Sequence, residues 1–311
     1  MIRTENLTKK FDSYTALKDI SCTIQDGCIY GMVGSNGAGK STFLRILSGV
    51  YKADGGRALL DGAPIYENPQ AKGQIVFVPD ELYYINGASM ERMATLYASL
   101  YPSFDRSRYK TLAGELGLDL KKNLNTFSKG MRRQAITILA LAVRPKYIFF
   151  DETFDGMDPV VRSYIKKLIC QDVLDRGAAA IITSHSLREL EDTCDQLALL
   201  HRGGLVLESD IQNLKTSQFK IQIAFQEAYD RQKFDGLDLV HFSKYGSVAN
   251  LIVRGDREET LNKLRAMQPV LLEALPLTLE EVFTYEMEAL GYTFHLEEDA
   301  VSPPTPSRKV Q

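Results

Sequence analysis

The stretch Gly34-Ser35-Asn36-Gly37-Ala38-Gly39-Lys40-Ser41 fits the pattern G-x-x-x-x-G-K-[ST] at every position. A predicted strand over Cys28–Val33 precedes it and a predicted helix over Lys40–Leu47 follows, which is the context that this pattern requires. Glycines let several backbone N–H groups point at one phosphate chain, and the positive end of a helix dipole favours an anion there. The sequence therefore predicts a nucleotide-phosphate site, and the alternative is a glycine-rich turn with an incidental lysine.

The residue types in this loop suit a triphosphate and its metal ion. Lys40 supplies a positive charge for the β- and γ-phosphates, and the Ser41 hydroxyl is a hard oxygen ligand for Mg²⁺. We expect the loop to bind nucleotide through Ser35, Asn36, Gly37, Ala38, Gly39, Lys40, Ser41 and Thr42.

A second motif, Tyr147-Ile148-Phe149-Phe150-Asp151-Glu152, is an apolar run that ends in two carboxylates. A short run without polar residues is typical of a strand buried on both faces. At the tip of such a strand, Asp151 is placed to hold Mg²⁺ and Glu152 to act as a general base on the attacking water. The alternative is an ordinary strand end, which the neighbouring phosphate loop makes the weaker interpretation.

Composition and charge restrict the class of protein. The chain has 311 residues, 44% of them hydrophobic and 25% charged, which indicates globular domains rather than a disordered or disulfide-rich chain. The net charge of −3 weakens the case for a nucleic-acid partner. Four cysteines without a C-x-x-C pair indicate free thiols in a reducing cytosol. No apolar stretch approaches the roughly 20 residues that cross a bilayer, and the start of the chain lacks a signal-peptide core.

The order of predicted elements divides the chain. Strands alternate with helices up to residue 210, which predicts an α/β fold with a mainly parallel core sheet, and residues 86–143 form a helical subdomain within it. A linker is expected over 211–218 and a small C-terminal α+β domain over 219–292. The Pro- and Ser-rich tail 293–311 is expected to be disordered.

The segment Phe127-Ser128-Lys129-Gly130-Met131-Arg132-Arg133-Gln134 opens a predicted helix shortly before the acidic strand. It resembles the LSGGQ signature of the ATP-binding-cassette (ABC) family, with Lys129 and Met131 in place of a Gly and the Gln. The resemblance implies a P-loop NTPase fold with an added antiparallel β subdomain. It also implies that Ser128 and Gly130 meet the γ-phosphate held by a second cassette, so that two cassettes enclose two ATP molecules head to tail, as a homodimer or a heterodimer.

Further motifs resemble the family in order and spacing. Phe154–Pro159 is similar to the D-loop, with Asp158 at the position that communicates across the dimer. Ile181–His185 is similar to the switch segment, which implies that His185 reaches the γ-phosphate and, with Lys40, stabilises developing charge. Phe11, 29 residues before Lys40, stands where the family places an aromatic residue that stacks on adenine. A surface or core histidine and a core phenylalanine are the alternatives.

One motif departs from the family. Val76–Glu81 is similar to the Q-loop, but Asp80 occupies the position of the glutamine. A carboxylate still offers oxygen to Mg²⁺, although an ionised one cannot donate a hydrogen bond. Asp80–Glu81 with the following Leu82–Tyr84 resembles ATPase subunits of bacterial ABC-2 type exporters, most nearly their YtrB-like branch. The resemblance covers residues 1–210 strongly, and 219–290 only through Leu277–Phe283.

Three functions compete on this sequence. The first is the ATP-hydrolysing subunit that powers a separate transmembrane permease, in an exporter, from the inner face of the cell membrane. The second is a soluble ABC ATPase acting on nucleic acid or ribosomes. The 88-residue interval from Lys40 to Ser128 leaves no room for the long coiled coil of chromosome-type members. The chain also has one phosphate loop, whereas ribosome-type members carry two cassettes per chain. The third is a P-loop kinase or GTPase, which gives no reason for the signature-like segment.

Overall fold

The computed structural model describes residues 1–289, apart from the side chains at positions 215–217, 286 and 289. The described chain divides into two compact units, the first formed by residues 1–218 with 278–280 and the second by 219–277 with the residues from 281 onward. The predicted tail at 293–311, and the last three residues of the domain predicted over 219–292, lie outside the described residues.

The centre of the first unit is a six-stranded sheet in the order β10-β9-β3-β8-β7-β6. Its strands are β3 (Ile29–Val33), β6 (Ile75–Val78), β7 (Tyr147–Asp151), β8 (Ala179–Ser184), β9 (Gln196–His201) and β10 (Gly204–Asp210). All neighbours are parallel except β9 and β10. Every residue of β3, β7 and β8 is buried, as continuous apolar runs predict for a parallel sheet covered on both faces.

A second, antiparallel sheet in the first unit has the order β2-β1-β4-β5. It comprises β1 (Ile2–Phe11), β2 (Tyr14–Ile24), β4 (Gly55–Leu60) and the two-residue β5 (Ala63–Pro64). Alternating buried residues such as Ile2, Leu17 and Ile20 belong to the same core cluster as Phe149 of the central sheet. This packing anchors the antiparallel sheet beside the phosphate loop.

Helices surround the central sheet. They are α1 (Lys40–Leu47), α2 (Pro69–Lys72), α3 (Met90–Leu100), α4 (Arg106–Glu115), α5 (Lys129–Ala142), α6 (Pro159–Arg176), α7 (Leu187–Glu191) and α8 (Ile211–Ser217). The segment predicted as a helical subdomain holds α3, α4 and α5, whose first turns are capped by Ser89, Asp105 and Ser128. The segment predicted as a linker carries α8, capped by Asp210.

The second unit is a four-stranded sheet in the order β12-β13-β11-β14 with two helices. Its elements are β11 (Gln218–Ala224), β12 (Asp238–Tyr245), β13 (Val248–Arg254), α9 (Arg257–Ala266), β14 (Leu271–Leu275) and α10 (Leu279–Ala289). Ile221, Phe234, Leu251, Val253 and Leu264 form a core of their own. Strand β14 was not predicted, because Leu271–Leu275 is short and lacks β-branched residues.

No helix among residues 1–289 is long and apolar enough to cross a membrane.

Candidate active site

The central sheet determines which loops meet. In the parallel register Val33 pairs with Ser184 and Asp151 pairs with Thr183, so β3, β7 and β8 end at one edge. The phosphate loop follows β3, the carboxylate pair ends β7, and the switch-like segment ends β8. Side chains that are far apart in sequence therefore converge at this edge, where ligands bind in open parallel sheets.

The phosphate loop requires glycine at position 39. Gly39 has φ 109°, and a Cβ there would lie 2.6 Å from the carbonyl oxygen of Ala16. Helix α1 begins at the next residue, and Gly39 offers no side-chain cap, so the first-turn N–H groups stay open to an anion.

A cavity of about 420 Å³ lies over the phosphate loop, and we call it the nucleotide cavity. The phosphate loop contributes residues 36–42, which are seven of the eight loop residues predicted to bind nucleotide; Ser35 does not line the cavity. The remaining lining residues are Tyr14, Ala16, Asp80, Glu152, Asp155 and His185.

Lys40 is 5% exposed and its ammonium group lies at the bottom of the nucleotide cavity. Its Nζ donates to the carbonyl oxygen of Gly34 at 2.6 Å and to that of Ser35 at 3.3 Å. The same nitrogen lies 3.1 Å from Oε1 of Glu152. A cation is thus held between the loop and the predicted general base.

Asp151 is 1% exposed at the tip of β7. Its Oδ1 accepts a hydrogen bond from Thr183 at 2.7 Å, whereas its buried Oδ2 has no hydrogen-bond partner among the described residues. Burial raises the pKa of Asp151, and the hydroxyl groups of Thr183 and the nearby Ser41 only partly offset this. A buried carboxylate oxygen without a donor, beside the Ser41 hydroxyl, suits a bound cation.

Glu152 contacts both of the other predicted catalytic residues, Lys40 and His185. Its Oε2 lies 2.8 Å from Nδ1 of His185, and its other oxygen faces Lys40. Burial pushes the pKa of Glu152 upward, but the contacts with His185 and Lys40 outweigh burial and hold this pKa below its ordinary value. The hydrogen bond from Glu152 raises the pKa of His185. The carboxylate therefore stays ionised and can accept a proton at neutral pH.

Asp80 lines the nucleotide cavity, as expected of a metal-site residue, but it also has a partner that the sequence did not indicate. Its Oδ1 accepts from Nη2 of Arg133 at 2.5 Å. Arg133 is 2% exposed, and the signature-like segment implied no role for it. The available sequence signal was that Arg133 falls on the same helix face as Ile136 and Ala140, because a charge on an apolar face needs a partner.

Ser128, Gly130 and Asp158 do not line the nucleotide cavity of their own chain. Ser128 caps α5 by accepting from the N–H of Met131 at 3.2 Å, and Asp158 caps α6 by accepting from Val160 at 2.9 Å. A Cβ on Gly130 would lie 3.4 Å from the carbonyl oxygen of Gly156. The signature-like helix therefore begins beside the D-loop-like turn.

The nucleotide cavity is lined by an aromatic residue other than Phe11, whose stacking on adenine stays a prediction. Phe11 is not among the lining residues and packs edge-to-face on Tyr51, with 5.5 Å between ring centroids. Tyr14 does line the cavity, and its hydroxyl donates to the carbonyl oxygen of Gly37 at 3.1 Å. No sequence pattern pointed to Tyr14, because only Phe11 stands at the spacing that the family resemblance implies.

Comparisons with known proteins agree with this geometry. A family described as "ABC transporter" matches residues 17–155. The ATP-binding protein YtrB of Bacillus subtilis is 32% identical over 287 residues, which cover 91% of this chain and 97% of YtrB. The bacitracin transport ATP-binding protein BcrA of Bacillus licheniformis is 27% identical and aligns with 81% of this chain and 89% of BcrA.

Solved structures show the same fold. An ATP-binding subunit of an ABC transporter superposes with a TM-score of 0.64 at 22% identity, covering 69% of this chain and 92% of that one. A dimeric bacterial ABC transporter cassette gives 0.62 at 20% identity, over 68% of this chain and 99% of the cassette.

The fold and site define a P-loop ATPase. The chain belongs to the ATP-binding proteins of ABC transporters, as the signature-like segment predicted. It binds and hydrolyses ATP to power a permease, as the first of the three competing functions requires. The predicted fold class is confirmed as well.

Proposed function

We propose that Glu152 is the general base of ATP hydrolysis and that Lys40 and His185 stabilise the negative charge that develops on the γ-phosphate. One observation carries this proposal: the two oxygens of Glu152 face Lys40 at 3.1 Å and His185 at 2.8 Å on the floor of the nucleotide cavity. An ionised carboxylate in this position can take a proton from water, while the two cations face the phosphate.

Residues 35–42 bind the phosphates in this proposal, and their open N–H groups and glycines support that role. Phe11 is proposed to stack on adenine, with Tyr14 as the second candidate because it lines the cavity. Replacing each aromatic by leucine and measuring the Kd for ATP distinguishes them, since the stacking residue loses affinity and the other does not.

Mg²⁺ fits the residues at this site, because Asp151 keeps a buried oxygen without a donor among the described residues and Ser41 lies beside it. Ser41 and Asp151 would hold the ion, with Asp80 as a third ligand from the cavity wall. Bound there, the metal would neutralise charge on the β- and γ-phosphates.

The working unit is two cassettes arranged head to tail around two ATP molecules, as a homodimer or with a second, similar chain. Ser128 and Gly130 lie at an α5 N-terminus outside the cavity of their own chain, which supports a role at the γ-phosphate of the partner cassette. Asp158 would communicate between the two sites. Hydrolysis removes the bridging phosphate and lets the pair open.

The transport direction is export. This is supported by the names of relatives, such as the lipopolysaccharide export system ATP-binding protein LptB of Haemophilus influenzae, 33% identical over 221 residues. The cassette would sit on the cytoplasmic face of the cell membrane through its permease, with residues 219–292 as an accessory domain. Purification from detergent-solubilised membranes tests this: a co-eluting multispanning protein supports it, whereas ribosomes or nucleic acid alone contradict it.

The assigned base is tested by Glu152→Gln. The variant should lose hydrolysis by on the order of a thousandfold, because the amide cannot take a proton, while ATP binding is retained. It should also accumulate as an ATP-bound dimer in size-exclusion chromatography. Glu208→Gln is the matched control, since Glu208 does not line the nucleotide cavity and accepts a hydrogen bond from the Tyr30 hydroxyl at 2.7 Å. Wild-type hydrolysis by Glu152→Gln would show that the base is misassigned.

A further inference from the structure

Arg133 connects two loops of the active site through one buried side chain. It projects from α5 and is 2% exposed. Its Nη1 donates to the carbonyl oxygen of Glu152 at 2.5 Å, and its Nη2 donates to Oδ1 of Asp80 at 2.5 Å. One guanidinium group therefore contacts the backbone of the proposed base and the side chain at the Q-loop position.

The Glu152 peptide needs such contacts. Glu152 has φ 47°, in the left-handed region that residues other than glycine seldom adopt. Its N–H donates to the carbonyl oxygen and to Oγ1 of Thr183, at 3.2 and 3.1 Å. Its carbonyl oxygen accepts from Nη1 of Arg133 and, at 3.2 Å, from the N–H of Asp155. Since these bonds hold the residue at both of its backbone polar groups, they set the direction in which its carboxylate leaves the strand.

Arg133 is in turn held by Asp80. A buried guanidinium group is costly unless its charge is paired, and Nε of Arg133 has no acceptor among residues 1–289. Asp80 supplies the ionic partner while its own side chain is 56% exposed. A glutamine at position 80 would offer Arg133 an amide oxygen but no charge, so the departure from the Q-loop pattern and the buried arginine belong together.

Asp80 also lies on the wall between two cavities. It lines the nucleotide cavity and a neighbouring groove of about 280 Å³, the Asp80 groove, with Glu81, Leu82, Tyr84, Lys129 and Arg132 among its other residues. A group that enters the Asp80 groove can therefore displace Asp80 without touching the phosphate loop.

We propose that Arg133 is a positioning residue for hydrolysis: it holds the Glu152 peptide so that the carboxylate faces the nucleotide cavity, and Asp80 holds Arg133 in place. The pair transmits a change at the Asp80 groove to the base. This rests on the proposed role of Glu152, and it assigns Asp80 a function besides any contact with metal.

Arg133→Met tests the positioning role in the full-length chain. Methionine fills much of the buried volume without leaving an unpaired charge in the interior. The kcat should fall by about 10- to 100-fold while KM and the Kd for ATP stay within about threefold, because the phosphate loop is untouched. Arg133→Lys should recover part of kcat, since a single ammonium group can reach one of the two partners.

The matched control is Arg108→Met, which removes a half-buried arginine that, like Arg133, pairs with an aspartate, here Asp172 at 2.7 Å. It lies outside the nucleotide cavity, so its effect should be limited to the melting temperature. If Arg133→Met also lowers only the melting temperature and keeps wild-type kcat, the positioning role is refuted.

A double-mutant cycle with Asp80→Asn tests the link to the groove. At saturating Mg²⁺, which offsets a weakened metal contact, the double variant loses no more kcat than Arg133→Met alone if Asp80 acts through Arg133. Fully additive losses, with a raised Mg²⁺ requirement in Asp80→Asn only, would show that Asp80 acts on the metal and would overturn the link. Should Arg133→Met fail to fold, Arg133→Lys in the same cycle gives the same comparison.

Failure of the proposed function has a different pattern. If Glu152→Gln hydrolyses ATP normally, the base is misassigned whatever Arg133 does. If Glu152→Gln is inactive and Arg133→Met is normal, only the inference about Arg133 fails.

Discussion

The two ends of the central parallel sheet both carry charged clusters, and the clusters differ in how completely their groups are paired. At the amino end, both carboxylate oxygens of Asp26 and of Asp61 have partners, from Lys146, Tyr147 and the amino group of Met1. At the carboxyl end, Asp151 keeps one buried oxygen unpaired among the described residues. One strand, β7, begins in the first cluster and ends in the second.

The pKa values of Asp26 at the amino end and Asp151 at the carboxyl end move in opposite directions. Burial opposes ionisation of Asp26, but hydrogen bonds from Met1, Tyr147 and Lys146 outweigh it and lower this pKa to about 2. Burial prevails at Asp151 and raises its pKa. The amino-end cluster therefore stabilises the folded state, whereas the carboxyl-end site retains an unfavourable charge that a ligand can satisfy.

Replacing Lys40, the buried lysine of the carboxyl-end site, should have the largest effect. Lys40→Ala is expected to lower kcat/KM for ATP by on the order of a thousandfold, because it deletes the charge that faces the phosphates and leaves Glu152 with His185 alone. Binding of ATP, measured by equilibrium dialysis, should weaken in parallel. Unchanged affinity would exclude the phosphate-site interpretation of residues 34–41.

Asp151→Asn should separate activity from stability. Hydrolysis should fall by on the order of a hundredfold or more, because a metal ligand is lost. The nucleotide-free variant should nevertheless melt about 2–4 °C higher, because ionisation of a buried carboxylate with a raised pKa no longer opposes folding at neutral pH. Differential scanning calorimetry without nucleotide checks the sign. A lower melting temperature would show that the ionised Asp151 carboxylate does not destabilise the folded state.

The same chemical change at the other end should act in the opposite direction. Asp26→Asn removes a carboxylate whose two oxygens both have donors, so it should lower the melting temperature. Because the group is half-exposed, the loss in free energy of unfolding should be less than about 1 kcal/mol. Its kcat should equal that of the wild type. A loss of hydrolysis in this variant would break the division of roles between the two ends.

The smallest expected effect is the pH dependence of the difference in melting temperature between the wild type and Asp26→Asn. A carboxyl whose folded pKa is lowered from 3.8 to about 2 contributes stability that is complete above 3.8 and is lost as the pH falls toward 2. The gap in melting temperature between wild type and Asp26→Asn should therefore be constant from pH 7 to about 5 and close between about pH 4 and pH 2. A gap that persists at pH 2 would point to packing rather than charge.

Local patterns predicted much of the fold because they report directly on burial and backbone geometry. The helix Lys40–Leu47 has the predicted bounds, and β7 and β8 follow from apolar runs. Helix α8 was predicted as a linker because Ile211–Ser217 is polar and short, and the Asp210 cap was overlooked. The partner of Asp80 could not be predicted, since Arg133 is 53 residues away in the chain.

The sequence by itself determined the class of protein and the main chemical groups: a phosphate loop, two carboxylates at a strand end, and a histidine after the next buried strand. Their identity depends on residue type and spacing, which are local. Tertiary structure alone decided which oxygen of Asp151 stays unpaired, that Tyr14 rather than Phe11 lines the cavity, and that Arg133 joins Asp80 to Glu152. These depend on contacts between distant segments, whose distances and burial exist only once the sheet has brought the strand ends together.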